Sequence, residues 1–275
     1  MKWSQIIKRN RELAGSMSGP VKKIILLSNS TIFQLKEILE LDLRETGLAV
    51  EVDLGDYDNI LQDSKKFAEY DAVIIFWELS NLLEGFHYKY NLFNEDELSL
   101  LINKVELEIN LTLDNLKAVP LVLVNKFTAM PFDTQFLLES KLQQIAGRLN
   151  DTLKKAVSHS QTIVDLEKII ALTGLDRSID HRQFQTSKSL YTKELFYNYS
   201  QQIKPAFMAS NGIIKKVLVL DCDNTLWSGV LGEDGENNLE MSDLSTRGKS
   251  FSEVQYLIKS FEKKVLLIDK PAEKP

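Results

Sequence analysis

Aliphatic residues in this chain fall into short runs, separated by longer stretches whose apolar positions recur every three or four residues. Val21 to Leu27 reads as a buried strand, and Leu48 to Leu54, Ala72 to Trp77, Val119 to Val124 and Thr162 to Leu166 read as further strands. Between them, Thr31 to Arg44 places Ile32, Leu35, Ile38, Leu39 and Leu43 at helical spacing, and Gly47 closes that helix. Helices are also predicted over Glu95 to Lys117, Thr134 to Val157, Leu166 to Leu172 and Thr192 to Met208. A short helix, Ile6 to Leu13, precedes the breaker cluster Gly15-Ser16-Met17-Ser18-Gly19-Pro20, so residues 1–20 read as an N-terminal extension. Strands alternating with long helices predict a parallel sheet covered on both faces and joined by right-handed crossovers. Residues 21–210 therefore form one three-layer α/β domain, with Ser210-Asn211-Gly212 as a linker to a second unit over 215–275.

The second unit opens on Val217-Leu218-Val219-Leu220-Asp221-Cys222-Asp223-Asn224-Thr225-Leu226-Trp227. The aliphatic run predicts a strand, and ligands in open α/β sheets bind beyond the carboxyl ends of strands. Asp221 and Asp223 leave it there. Two carboxylates so placed can hold a divalent cation through oxygen, or divide into nucleophile and acid. A helix is predicted from Arg247 to Lys263, then a second strand at Val265-Leu266-Leu267-Ile268.

The string D-x-D-x-T after four aliphatics, followed by Ser228-Gly229-Val230-Leu231-Gly232-Glu233-Asp234-Gly235, resembles motif I and the adjoining loop of haloacid dehalogenase-like (HAD) phosphatases of the FkbH-like subfamily. The resemblance implies the first part of a HAD-like Rossmannoid domain here. It makes Asp221 the nucleophile, Asp223 the general acid–base, and both of them ligands of Mg²⁺. It gives Asn224, Thr225, Trp227 and Gly229 to the substrate-binding turn, and makes Trp227 to Gly235 a flap. It also implies a phosphorylated small-molecule substrate: glyceryl transfer from 1,3-bisphosphoglycerate to an acyl carrier protein, or a polysaccharide-pathway counterpart. This chain departs from the pattern, because 54 residues follow Asp221 and no Ser or Thr follows Ser260. The phosphate-binding hydroxyl, the later Lys and the further acid of a HAD core have no counterpart. The chain is thus expected to be truncated within the HAD domain and inactive alone. The alternative is a non-catalytic binding or scaffold protein with a vestigial metal site. A partial sheet would leave an open edge, to be covered by the first domain or a second copy, or left partly disordered.

Ser28-Asn29-Ser30-Thr31, at the end of the first strand, resembles the first block of SGNH-type hydrolases, with Asn29 where the acid stands and Ser30 at the nucleophile position. The first domain is accordingly expected to be SGNH/flavodoxin-like, and Asn81 to stand at the oxyanion-hole position. Helix N-capping explains the same Ser, Asn and Thr residues without any chemistry. A serine nucleophile needs a base. Of His87, His159 and His181, none has the family's D-x-x-H spacing, so a serine esterase is the weaker alternative. Ser28, Asn29, Ser30, Glu78, Asn81, Asn125 and Lys126 are expected to line an open cleft at the strand ends.

Composition narrows the setting. With 39 acidic and 33 basic residues the formal charge is −6, which disfavours nucleic acid and anionic membranes as partners. Cys222 is the only cysteine, so no internal disulfide forms. No leader is evident, and no apolar run reaches the ~20 residues needed to span a bilayer. A cytoplasmic location is expected.

Overall fold

In the computed structural model, which describes residues 3–67, 69–82, 85–135, 137–213 and 218–266, the chain divides into two units, Met1–Ile213 and Ile214–Pro275. The first unit contains the strands β1 (Lys22–Ser28), β2 (Val50–Leu54), β3 (Ala72–Phe76), β4 (Leu121–Asn125) and β5 (Gln161–Val164). They make one all-parallel sheet in the order β2-β1-β3-β4-β5. Its helices are α1 (Trp3–Ser16), α2 (Phe33–Arg44), α3 (Ile60–Lys66), α4 (Phe86–Lys89), α5 (Glu95–Asn115), α6 (Lys141–Ala156), α7 (Leu166–Thr173), α8 (Leu175–Ser178), α9 (His181–Ser187) and α10 (Lys193–Ser210).

Side-chain alternation along the strands divides the core into two. Ile24, Leu26, Val52, Ile74, Phe76 and Leu123 face the layer made by α2, α7 and α10. Ile25, Leu27, Val73, Ile75, Val122 and Val124 face the layer made by α5 and α6. In β1, β3 and β4 both faces are buried, which is why these strands read as continuous apolar runs; the edge strands β2 and β5 are only partly buried. The expected three-layer α/β architecture is therefore observed.

Element ends differ from expectation where capping outweighs periodicity. The helix expected from Thr134 begins only at Lys141. Ser140 Oγ accepts from the Gln143 backbone N–H at 3.1 Å and Gln143 Oε1 accepts from the Ser140 N–H at 3.0 Å, a reciprocal cap that fixes the start. Leu137 and Leu138, inside the range expected to be helical, are 95% and 77% exposed. The short helices α3, α8 and α9 lie where no element was expected. They are too brief for a periodic signal.

The second unit departs further. Leu218 to Leu220 form no strand, and Leu218 and Val219 are 58% and 86% exposed; Val217 lies outside the described residues. A strand needs a neighbour to pair its backbone, and among the described residues this unit supplies only the isolated bridges Asp223–Trp227 and Ser228–Glu240. The strand expected at Val265 is also absent at its first two positions. Helix α12 (Gly248–Leu266) runs through them, and Leu267 and Ile268 lie outside the described residues. A single turn, α11 (Leu231–Asp234), precedes α12. No described helix is long and apolar enough to cross a membrane.

Candidate functional site

The strand order reverses direction between β1 and β3, and loops leaving such a point diverge to make room for a ligand. Ser28, Asn29, Ser30, Glu78 and Asn81 do meet there, and Asn125 and Lys126 stand at the end of β4. The cleft expected from them is closed by their own hydrogen bonds. Asn29 accepts from the Glu78 N–H at 2.6 Å and donates to the Glu78 carbonyl at 3.0 Å. Asn125 accepts from the Trp77 N–H at 2.7 Å and donates to the Trp77 carbonyl at 2.9 Å. Asn150, from α6, treats Phe127 in the same way at 2.8 and 2.9 Å. Three buried amides thus do at the loop ends what a neighbouring strand does within the sheet, because each backbone group shut away from water needs a partner. Asn81 donates to the Asn29 carbonyl at 2.9 Å, and Lys126 is paired with Glu167 at 2.7 Å.

Glu78 is buried beneath this closure. Its carboxylate accepts from the Tyr191 hydroxyl at 2.5 Å, from Ser80 Oγ at 2.9 Å and from the Ser80 N–H at 3.1 Å. Burial holds the Glu78 carboxyl above its usual range, with the bonds from Tyr191 and Ser80 pulling the other way. The Tyr191 phenol is pushed well up, by burial first and then by Glu78. Nothing in the sequence pointed to Tyr191, which stands 113 residues from its partner.

Ser30 does not have the setting of a nucleophile. It is 3% exposed, and its Oγ donates to the Lys188 carbonyl at 3.0 Å rather than to an imidazole. A pocket of about 190 Å³ beside it is lined by Ser28, Thr31, Phe33, Leu54 and Tyr57 among others, with no histidine or carboxylate. His87 and His181 pack on Phe132, with ring centroids 4.2 and 5.3 Å away, and His159 is exposed. Removing Ser30 Oγ in Ser30→Ala is expected to cost about 1 kcal/mol of stability and to leave hydrolysis of short acyl esters at the level of buffer, read by denaturation and a p-nitrophenyl acetate assay. A serine-dependent rate would contradict this.

In the second unit the carboxylate loop folds on itself. Asp221 Oδ1 accepts from the Cys222 N–H at 2.8 Å. Asp223 Oδ1 accepts from the Trp227 indole N–H at 3.0 Å and from the Leu231 N–H at 3.2 Å. Asn224 sits in the left-handed region at φ 53°, and its Oδ1 accepts from the Gly229 N–H at 3.1 Å. Gly229, at φ 112°, has Asp234 Oδ2 and Leu239 Cδ2 each 3.1 Å from where a Cβ would be, so the turn admits little else. The Thr225 N–H donates to the Cys222 carbonyl at 3.2 Å. Behind the loop, Gln255 of α12 donates to the Leu226 carbonyl at 2.6 Å.

These residues suit a hard cation in donor type. Mg²⁺ is usually held by one or two carboxylates, with water and substrate oxygens completing its shell. Among the described residues, no group of three His, Cys, Asp or Glu converges to hold a metal, so Asp221 and Asp223 would have to act without a third protein ligand of those types.

No family model and no curated protein matches the sequence. Among solved structures, the chain is similar to the N-terminal part of the protein BF1531 from Bacteroides fragilis, which contains a phosphatase domain and was crystallised with Mg. The two share 20% identity and a TM-score of 0.72 over 96% of this chain and 71% of that one. A catalytic mutant of Axe2, an acetylxylan esterase from Geobacillus stearothermophilus, aligns at 12% identity over 74% of this chain and 99% of its own, with a TM-score of 0.45. The first likeness shows a shared fold. The second is too slight to bear on chemistry.

Proposed function

We propose that the second unit carries the nucleophile half of a HAD-type phosphoryl-transfer site, and that the first unit is its scaffold rather than an esterase. The observation that carries this is the engagement of Asp223. One oxygen of its carboxyl already accepts from Trp227 and Leu231, so the same group is tied to the flap and keeps its second oxygen for a proton. The overall likeness to a Mg-bearing structure that contains a phosphatase domain supports the reading.

In this mechanism an Asp221 carboxylate oxygen attacks phosphorus in line. The bond from phosphorus to the leaving oxygen breaks as the aspartyl phosphate forms, and Asp223 gives its proton to that oxygen. Asp223, now a carboxylate, then takes a proton from the water that attacks phosphorus and releases inorganic phosphate from Asp221. Mg²⁺, which would be held by the Asp221 carboxylate and the Asp223 backbone carbonyl, would offset the repulsion between carboxylate and phosphate. The substrate is a phosphorylated small molecule. Glyceryl transfer from 1,3-bisphosphoglycerate to an acyl carrier protein is the finer proposal, drawn from the motif I resemblance.

No Ser or Thr follows Ser260 in this chain, so the hydroxyl that would clamp the transferred phosphate is not supplied from that stretch. Hydrolysis of p-nitrophenyl phosphate by the 275-residue protein is therefore expected at background. Binding of Mn²⁺ as a spectroscopic stand-in for Mg²⁺ is expected to be weak and to disappear in Asp221→Asn. Equal Mn²⁺ binding by wild type and Asp221→Asn would sink the assignment. Robust hydrolysis abolished by Asp221→Asn would instead retain the nucleophile and refute the missing clamp. A non-catalytic binding role is the second reading, favoured by the exposure of Leu218 and Val219 in place of a sheet strand.

A further inference from the structure

The helix that opens the chain is thinly held. α1 buries Ile6 and Asn10, with Trp3 and Leu13 partly buried against the same core and the Trp3 ring edge-on to Phe33 at 6.3 Å. By contrast, α2 buries seven of its twelve residues. The connection from α1 to β1 runs through Ser18, Gly19, Pro20 and Val21, all exposed. Gly19 takes φ 113° there, with open space where a Cβ would stand. A segment with so few buried contacts opens at a lower free energy than the core it rests on.

What α1 rests on is the edge of the sheet. β2 stands last in the strand order, so among the described residues one row of its backbone groups has no neighbouring strand. The Lys22 N–H donates to the Ala49 carbonyl and the Gly55 N–H to the Leu26 carbonyl, so odd-numbered positions face β1 and Val50 and Val52 face outward. The Val52 N–H donates to the Glu40 carboxylate at 2.9 Å, and the Val50 carbonyl accepts from the Arg44 guanidinium at 2.7 and 3.2 Å. Two side chains of α2 thus stand in for a further strand. Asn10 fixes both of them. Its Nδ2 donates to Glu40 at 2.9 Å and to Glu37 at 2.9 Å, and its Oδ1 accepts from Arg44 at 2.5 Å. Asn10 and Glu40 are 2% and 6% exposed, so losing these bonds leaves polar groups unpaired away from water.

We propose that α1 is a detachable strap, latched by Asn10, and that its release uncaps the outer edge of β2. Once Asn10 leaves, water reaches Glu40 and Arg44, and each exchanges a fixed backbone partner for solvent. The row of groups so freed is the kind of surface on which an extended segment adds as a strand. The device lies wholly within the first unit and does not depend on the Asp221 loop.

Amide hydrogen exchange of the full chain, followed at several urea concentrations below the unfolding transition, tests the strap. The amides of Asn10 to Leu13 and of Val52 are expected to exchange through one opening, with the same equilibrium constant and the same shallow dependence on urea. The Ile74 amide, in the middle of the sheet, is expected to exchange only with unfolding of the whole first unit, at a steep dependence. Asn10→Ala is expected to multiply the opening constant shared by α1 and Val52 about tenfold. Arg11→Ala, on the exposed side of the same helix, is expected to leave it unchanged. Val52 exchange that follows Ile74, or α1 amides that open while Val52 stays protected, overturns the strap. So does an unaltered opening constant in Asn10→Ala. Should that variant fail to fold, the wild-type comparison of α1, Val52 and Ile74 decides by itself.

Discussion

Phe76→Ala is expected to remove about 3–5 kcal/mol of stability, the range for truncating a fully buried phenylalanine. Phe76 ends β3 with no exposed surface, and the rings of Tyr191, Tyr199 and Phe196 surround it at centroid distances of 5.3, 5.4 and 6.2 Å. Alanine would forfeit the burial and the edge-on ring contacts together, and the three neighbours, themselves buried, have little room to collapse inward. A typical domain has about 5–15 kcal/mol in all, so this single change approaches its limit. Guanidinium denaturation checks it, as a lower midpoint with an unchanged slope. Phe33→Ala serves as the contrast, since Phe33 is 48% exposed and should lose far less. Equal losses at the two positions would show that the aromatic cluster is not the keystone of that layer.

Glu78→Ala is expected to cost a similar amount, about 3–5 kcal/mol, because it deprives buried donors of their acceptor. The Tyr191 hydroxyl and the N–H and Oγ of Ser80 would all lose their partner. Glu78→Gln keeps an acceptor for Ser80 and is expected to cost much less. The two variants also separate by pH. Burial raises the Glu78 carboxyl, so the folded state holds its proton to higher pH than the unfolded state does. Between the unfolded value and that raised value the folded state binds more protons, and stability falls as pH rises. Urea denaturation from pH 4 to 7 should therefore show Glu78→Gln gaining on wild type as pH increases. A pH-independent difference between them would mean that the carboxylate is fully compensated by its donors.

The strands of the sheet were legible in the apolar pattern: β1, β3 and β4, buried on both faces, are written as nearly uninterrupted apolar runs, and the edge strand β2 alternates, with Val50 and Val52 buried and Glu51 exposed. The long helices were legible for the same reason, and their ends only where a cap stands next to the first apolar position. Ser140 shows the limit: the helix was expected from Thr134, and the two reciprocal hydrogen bonds between Ser140 and Gln143 place its start at Lys141.

The site residues divide differently. Position in sequence alone put Asn29, Glu78 and Asn125 at strand ends, where ligand chemistry is common. Whether such residues face a cleft or each other depends on which loops come together, and here they satisfy one another across gaps of 48 and 49 residues.

The stretch from Val217 to Trp227 marks the boundary most sharply. Its residue types alone establish that two carboxylates stand two apart behind an aliphatic run, with Asn and Gly where a tight turn must follow, and the turn forms as that chemistry requires. Whether the aliphatic run becomes a strand was never a local matter. A strand exists only when a neighbour takes up its backbone groups, so Leu218 and Val219 remain exposed where the described residues offer none, while Ile24 to Leu27, just as apolar, are buried between β2 and β3.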